Sequence, residues 1–498
     1  MSATEHRLRS ADVERADTEQ ATELGTFAPL VGGRPVETRV AYVVRSPWDG
    51  RAVATVHRAG PPEVEAAIAA AVEAFETTRK LPSWQREQVL ERVAALLVER
   101  REQLARTISL EGGKPIKHAR LEADRAAFTF RVAAEEAKRL YGELVPLDWI
   151  PGNDGRTAHV RRVPLGPMAG ITPFNFPLML VAHKVAPALA AGDPIVLRPA
   201  SQTPVSSFLL AQIVLEAGWP EGGIAVVPST TEDAAPLVED ERLKLLTFTG
   251  SPAVGWALKA RSGRKRVTLE LGGNAAVIVH RDADVAYAAE RIAWGATVQS
   301  GQSCISVQRV YVHADRWDEL VPAVVERLRA LRAGDPLEEE TDVGPLIDTA
   351  AADRVEAWLR EATDAGARVL VGGTREGNLV APTALADVRE EMKVACNEAF
   401  APLLGLIRFE RVEDAIRAAG TSDFGLQAGL FTNDLRVVDL AWDELEVGGL
   451  MVNDVPTFRV DHMPYGGVKQ SGFGREGLRY AIEEMTELKL VTFNRRPL

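Results

Sequence analysis

The sequence predicts an α/β protein with two doubly wound, parallel-sheet domains and a small β arm. Three observations carry that prediction. Between Gly170 and Val279 short apolar runs alternate with helical stretches, and the runs are continuously hydrophobic. Strands of that kind are covered on both faces, as in a parallel sheet flanked by helices. A second alternation runs from Asp284 through Val452, after the glycine break Gly272-Gly273. Two strands also flank the turn Pro151-Gly-Asn-Asp-Gly155, and Lys489-Leu-Val-Thr-Phe493 stands apart near the C-terminus. These spare strands form the arm. A length of 498 residues fits about three units at roughly 150 residues each.

Taken in order, residues 1–26 are polar, carry both signs of charge, and read as a mobile tail. Helical spacing begins at Val64, Ile68, Val72 and Phe75 and resumes at Val89, Val93, Leu97 and Leu104. A third helix is predicted from about Ile116 to Leu140. Leu144-Val-Pro-Leu147 and Thr157-Ala-His-Val-Arg-Arg-Val163 are the hairpin strands. Pro194-Ile-Val-Leu197, Ile224-Ala-Val-Val227, Lys244-Leu-Leu-Thr-Phe248 and Val267-Thr-Leu-Glu-Leu271 are sheet strands, with helices at 203–217 and 252–260. The expected first domain is 27–140 with 164–272, the second is 273–477, and the arm is 141–163 with 478–498.

Several function classes are excluded at this level. The net charge of −12 is small for the length, and the most basic segment is only Arg261-Ser-Gly-Arg-Lys-Arg266. No nucleic-acid partner is expected. The apolar stretch Leu178 to Ala191 is interrupted by His183 and Lys184 and is too short to span a bilayer, and Met1 to Glu23 has no signal core. No membrane partner is expected, and the chain reads as cytoplasmic. Cys304 and Cys396 are the only cysteines and build no disulfide framework. The eight histidines are scattered without metal-ligand spacing, so no metal site is expected.

Chemistry concentrates at four places. Cys304, in Ser300-Gly-Gln-Ser-Cys-Ile-Ser306, stands among small residues that admit a close approach, and a thiolate is the best side-chain nucleophile near neutral pH. A lone cysteine is more often simply packed. Glu270 lies inside an apolar strand ending in Gly-Gly; burial there raises its pKa and suits it to general-base work. Satisfaction by backbone donors is the competing reading. Asn175, fixed between Pro173-Phe174 and Phe176-Pro177, can aim its amide at a developing oxyanion, or merely form a turn. Phe248-Thr-Gly-Ser-Pro-Ala-Val-Gly255 runs strand, turn, helix and offers an N-terminus to a pyrophosphate, although it is not the Gly-x-Gly-x-x-Gly fingerprint.

Together these segments resemble the NAD(P)-dependent aldehyde dehydrogenase superfamily from about Phe27 to the end. The motifs are Pro173-Phe-Asn-Phe-Pro177, Phe248-Thr-Gly-Ser251, Leu269-Glu-Leu-Gly-Gly273, Gly301-Gln-Ser-Cys304, Glu398-Ala-Phe-Ala-Pro402 and Pro464-Tyr-Gly-Gly-Val-Lys-Gln-Ser-Gly472. The resemblance implies an aldehyde dehydrogenase-like α/β fold: a Rossmann-type NAD(P)-binding domain, an α/β catalytic domain and a small β oligomerisation arm. It implies Cys304 as nucleophile, Glu270 as base, and Asn175 with the Cys304 N–H as oxyanion hole. Glu398 and Phe400 would hold the nicotinamide ribose and ring, with Gly250 and Ser251 at the pyrophosphate. Thr172, Pro173, Phe174 and Leu271 complete the cofactor wall, and Arg198 falls where a ribose-binding lysine is usual. The implied reaction oxidises a small aldehyde to its acid through a thiohemiacetal and a thioester on Cys304.

Departures from the pattern sharpen the expectation. Arg198 replaces the lysine, and Ser201 replaces a glutamate that would repel a 2′-phosphate; the planar cation suits phosphate, so NADP is accepted beside NAD. Phe174 stands for a frequent tryptophan and Ala401 for a frequent glycine. Met451 to Asp461 is similar to a branch oxidising lactaldehyde-like and glyceraldehyde-type substrates. Arg459 offers a substrate anchor, or else a surface salt bridge to Asp461 or Asp454. Small hydroxyaldehydes, aliphatic aldehydes and semialdehydes are the expected substrates. Glu270 argues against a CoA-acylating relative, retention of Cys304 and Glu270 argues against a non-catalytic structural relative, and no histidine is placed for a thiol hydrolase. The arm strands predict a homo-oligomer, dimer or tetramer. Cys396, beside Asn397-Glu398, reads as packing, with a regulatory thiol as the alternative.

Overall fold

The computed structural model describes residues 22–495. Its largest sheet has five parallel strands at its centre, in the order Arg266–Glu270, Leu245–Thr249, Met168–Ile171, Ile195–Arg198, Ile224–Val226. Of these five, the first in the chain, Met168–Ile171, is central: the chain steps outward to one side, returns, and fills the other. That reversal puts a topological switch point between Met168–Ile171 and Leu245–Thr249, where an open α/β sheet leaves a crevice beyond the carboxyl ends of its strands. Gly472–Phe473 closes one edge against Arg266–Glu270, and Leu30–Val31 with Arg34–Pro35 closes the other.

The helices follow from composition. Every residue of Met179–Ala191 is buried, His183 and Lys184 included, because the helix lies under Ile116–Ala137 and over the sheet. Glu122 fixes its start: one carboxylate oxygen accepts from the N–H groups of Leu178 and Met179, and the other pairs with buried Lys114. A second sheet orders Arg368–Val371, Thr383–Ala386, Leu403–Phe409, Arg309–His313, Ala276–Val279, Gln427–Phe431 and Gly449–Val452, all parallel except the first pair. In the third sheet Thr486–Asn494 pairs along its whole length with Arg156–Pro164, which also pairs with Glu143–Pro146. Leu488, Leu490, Val491 and Phe493 are exposed on it.

Four details differ from expectation. The helical spacing from Val89 to Leu104 belongs to two helices, Ser83–Glu99 and Arg101–Gly112, broken at Arg100 where ψ turns to +16°. The segment up to residue 57, unassigned in the sequence, forms a sheet of Thr26–Phe27, Ala52–His57 and Ala41–Arg45. Leu24 to Thr26, assigned to the tail, are paired instead: Leu24 N–H donates to the Val53 carbonyl at 2.8 Å and Thr26 pairs with Thr55. Residues 1–21 lie outside the described residues. Leu478–Glu484, assigned to the arm, is instead a helix packed against Met179–Ala191.

Candidate active site

The switch point positions the first residues. Met168–Ile171 runs out into Thr172-Pro-Phe-Asn175, and Leu245–Thr249 runs out into Gly250-Ser251 before the helix Pro252–Arg261. Ser251 stands at the helix N-cap in extended backbone with no side-chain cap, so first-turn N–H groups remain for an anion. Arg266–Glu270 lies next in the sheet and ends on Glu270, opposite Thr249.

Cys304 arrives on a forced loop that leads into Arg309–His313 of the second sheet. Gln299, Ser300 and Gly301 all adopt the left-handed region, with φ of 54°, 54° and 69°. A Cβ on Gly301 would sit 2.1 Å from the Ala401 carbonyl oxygen. The Ser300 hydroxyl is tied to Gly344, and the Gln302 side chain accepts from Ile347 N–H at 2.9 Å. Such strain persists only where the surroundings over-determine it.

Every residue the sequence placed at the site lines one cavity of about 660 Å³: Cys304, Glu270 and Asn175, then Thr172, Pro173, Phe174, Arg198, Ser201, Gly250, Ser251, Leu271, Glu398 and Phe400. At the reacting end, Asn175 is 4% exposed and its amide donates to the Gln302 carbonyl at 2.9 Å, which orients it and leaves the second amide hydrogen free. The backbone N–H of Cys304 has no acceptor among the described residues. Glu270 is 3% exposed with neither carboxyl oxygen hydrogen-bonded. Burial, then the neighbouring Glu476, lifts its pKa well above the carboxylate range. Burial also pushes the Cys304 thiol up to about 12, with a 3.2 Å bond to the Tyr465 hydroxyl pulling it back.

The other end fits a nicotinamide dinucleotide. The open N-terminus at Ser251 suits a pyrophosphate, and Phe174 meets Phe400 edge-on at 5.8 Å across the cleft. Glu398 is held by the Gly273 N–H at 2.9 Å, where a Cβ on Gly272 would collide with its carboxylate. Burial lifts Glu398 to about 7. Arg198 donates from Nε to the Ser229 carbonyl at 3.1 Å, and Ser201 is exposed at the mouth.

Behind Cys304 lies a charge cluster the sequence did not assemble. Arg459 donates from Nη2 to His183 Nδ1 at 2.8 Å and to Glu476 Oε2 at 3.1 Å, and its guanidinium lies 3.5 Å from the Tyr465 ring centroid. A guanidinium only donates, so His183 Nδ1 accepts and its Nε2 proton serves Asp461 at 3.0 Å. Lys184 bonds Glu476 at 3.2 Å, and Arg125 bonds Asp461 at 2.9 Å. Burial opposes the charge of Glu476, yet Lys184, His183 and Arg459 hold its carboxyl well below the usual range. Burial opposes Asp461 too, and His183, Arg125 and Arg459 hold it low. The surface salt bridge weighed for Arg459 is overturned: its side chain is 6% exposed, Asp454 pairs with Arg291, and Asp461 pairs with Arg125 and His183. The signal for this cluster was the His183-Lys184 interruption of an apolar helix.

The profile of the Aldehyde dehydrogenase family matches residues 35–491. The chain belongs to the aldehyde dehydrogenase family. As such it is an oxidoreductase that oxidises small aldehydes with NAD or NADP. It is similar to a 3-sulfolactaldehyde dehydrogenase of Priestia aryabhattai, 42% identical over 95% of this chain and 99% of the relative. It is similar to aldehyde dehydrogenase 21 of Physcomitrella patens, solved with the reaction product succinate: TM-score 0.93, 41% identity, 95% of this chain and 99% of that one. It also resembles a glyceraldehyde-3-phosphate dehydrogenase of Methanocaldococcus jannaschii complexed with NADP: TM-score 0.87, 36% identity, 91% and 99% coverage. Among the described residues no helix is long and apolar enough to cross a membrane.

Proposed function

We propose that this aldehyde dehydrogenase oxidises a small aldehyde bearing an anionic group at its far end, preferentially with NADP, in the cytoplasm. The observation that carries the substrate class is Arg459. It lines the cavity of Cys304, and its Nε and Nη1 have no hydrogen-bond partner among the described residues. Of the carboxyl groups that face Arg459, which are Glu476, Glu270 and Asp461, only Glu476 is hydrogen-bonded to it, through Nη2, so the rest of the guanidinium remains for an anion. The similarity to a relative named for 3-sulfolactaldehyde and to a structure holding succinate supports the same class.

In this reading Cys304 Sγ attacks the aldehyde carbon while Arg459 holds the distal anion. The free Asn175 amide hydrogen and the Cys304 N–H meet the oxygen charge that forms; one such donor lowers the barrier by about 3–4 kcal/mol. A nicotinamide dinucleotide bound along the cleft supplies the hydride acceptor. Glu270 then takes a proton from water, which attacks the Cys304 thioester and releases the acid. NADP preference rests on Ser201, which presents no carboxylate at the mouth, and on the Arg198 cation beside it. The exposed apolar arm supports a homo-oligomer, and two free thiols, one of them the nucleophile, support a reducing compartment.

The test is formation of reduced nicotinamide across paired aldehydes of equal length, such as succinic semialdehyde and butanal, with NAD and NADP side by side. Higher kcat/KM for the anionic partner and for NADP is expected. Preference for the neutral aldehyde sinks the substrate class, and strong preference for NAD sinks the cofactor reading.

A further inference from the structure

Tyr465 is 2% exposed, and its hydroxyl has one hydrogen-bond partner among the described residues, the Cys304 sulfur at 3.2 Å. The ring cannot drift. Its backbone is bridged to Glu476 in both directions, N–H to carbonyl at 3.0 and 2.6 Å, and the Arg459 guanidinium covers one face at 3.5 Å. The motif Pro464-Tyr-Gly-Gly therefore carries a polar atom onto the nucleophile itself, which the mechanism above does not use.

We propose that Tyr465 is a catalytic residue: its hydroxyl donates to Cys304 Sγ, stabilises the thiolate before attack, and aims it at the substrate carbon. This rests on Cys304 being the nucleophile. The direction of the bond follows from the surroundings. Once Cys304 is ionised its sulfur can only accept, while burial and then Cys304 keep the phenol protonated, so the phenol donates. Arg459 over the ring favours negative charge on the phenol oxygen and so strengthens the donor. The other groups facing the thiol are Glu398 and Glu270, which raise its pKa, and Arg459, which lowers it. Without the hydroxyl, only Arg459 would offset burial. The thiol first gives its proton to solvent in the cavity; when sulfur then bonds to carbon, its lone pair becomes the C–S bond and the negative charge moves to the substrate oxygen. The Tyr465 bond weakens at that moment as the oxyanion donors strengthen, and no proton leaves the phenol.

The test reads sulfur without turnover. In a Cys396→Ser background Cys304 is the sole cysteine, and its alkylation by iodoacetamide is followed against pH. Tyr465→Phe keeps the ring under Arg459 and removes one oxygen. The alkylation profile should move up by about one pH unit, with about tenfold slower alkylation at fixed neutral pH. Steady-state kcat should fall with the aldehyde KM held within about twofold, because the anion anchor is untouched. Site-specific 3-fluorotyrosine at 465, a more acidic phenol, should move the profile the other way. Superimposable profiles for Tyr465→Phe and the parent would overturn the proposal. Turnover surviving Cys304→Ser would instead overturn the nucleophile reading on which it rests.

Discussion

Replacing Arg459 by methionine separates what the enzyme does to any aldehyde from what it does to an anionic one. The side chain keeps an unbranched apolar stem and loses the guanidinium. In the parent, a guanidinium 6% exposed lines the cavity with Nε and Nη1 unpartnered among the described residues. A hydrogen bond from a buried cation to an anion contributes about 1.5–3 kcal/mol, and at an effective dielectric near 20 two charges about 4 Å apart attract by about 4 kcal/mol. Taking about 3 kcal/mol, kcat/KM for succinic semialdehyde should fall by about 100-fold. Methionine also uncovers the Tyr465 ring and leaves Glu476 with Lys184 as its remaining side-chain hydrogen-bond partner. That penalty falls on every substrate and is read with butanal, where about tenfold or less is expected. The discriminating number is the ratio of the two losses, followed as reduced nicotinamide at saturating cofactor. Equal losses for both aldehydes would refute the anchor and reduce Arg459 to a support for Tyr465 and Glu476.

Other expectations follow from single observations. Glu270→Gln replaces a base whose pKa is lifted by burial, so the steady rate should fall by about 10²–10⁴ while one equivalent of reduced nicotinamide still forms in a rapid burst; absence of the burst would assign Glu270 to acylation. Because burial raises that pKa, the ionised base accumulates as pH rises. The parent kcat should therefore climb with pH well above the ordinary carboxylate range, and the variant should lose that limb of the profile. Ser201→Glu places a carboxylate at the cofactor mouth and should lower kcat/KM for NADP by about 30-fold or more, near 2–3 kcal/mol of like-charge repulsion, with NAD changed little. Glu122→Ala strands buried Lys114 and uncaps Met179–Ala191, and should destabilise by about 3–5 kcal/mol, read as a lower urea midpoint.

What the sequence disclosed and what it withheld divide along a physical line. Thr172 to Asn175, Gly250-Ser251 and Glu270 were legible because each sits at the end of a strand, and local pattern locates strand ends. Their meeting at one crevice follows from the switch point, which the strand order creates. Cys304 was legible as chemistry but not as geometry, since three consecutive left-handed residues before it are imposed by the Gly344 and Ala401 backbones brought across from elsewhere. Before residue 57, Thr26–Phe27 escaped because its partner lies 29 residues on, whereas Ala41–Arg45 and Ala52–His57 form a local hairpin that was there to be read.

The charge cluster marks the limit most clearly. His183 and Lys184 broke an otherwise apolar run, and a buried charge must be paired or used. Nothing in the run says that Glu476 and Arg459, both near the C-terminus, supply the partners. Once they do, each residue constrains the next: Lys184 holds Glu476, Glu476 holds Arg459, Arg459 covers Tyr465, and Tyr465 reaches Sγ. The same arginine faces the substrate, so the group that recognises a distal anion also lies against the ring that touches the nucleophile. Recognition and nucleophile activation therefore share one charge, and a substitution made to change the substrate should also change the reactivity of the sulfur.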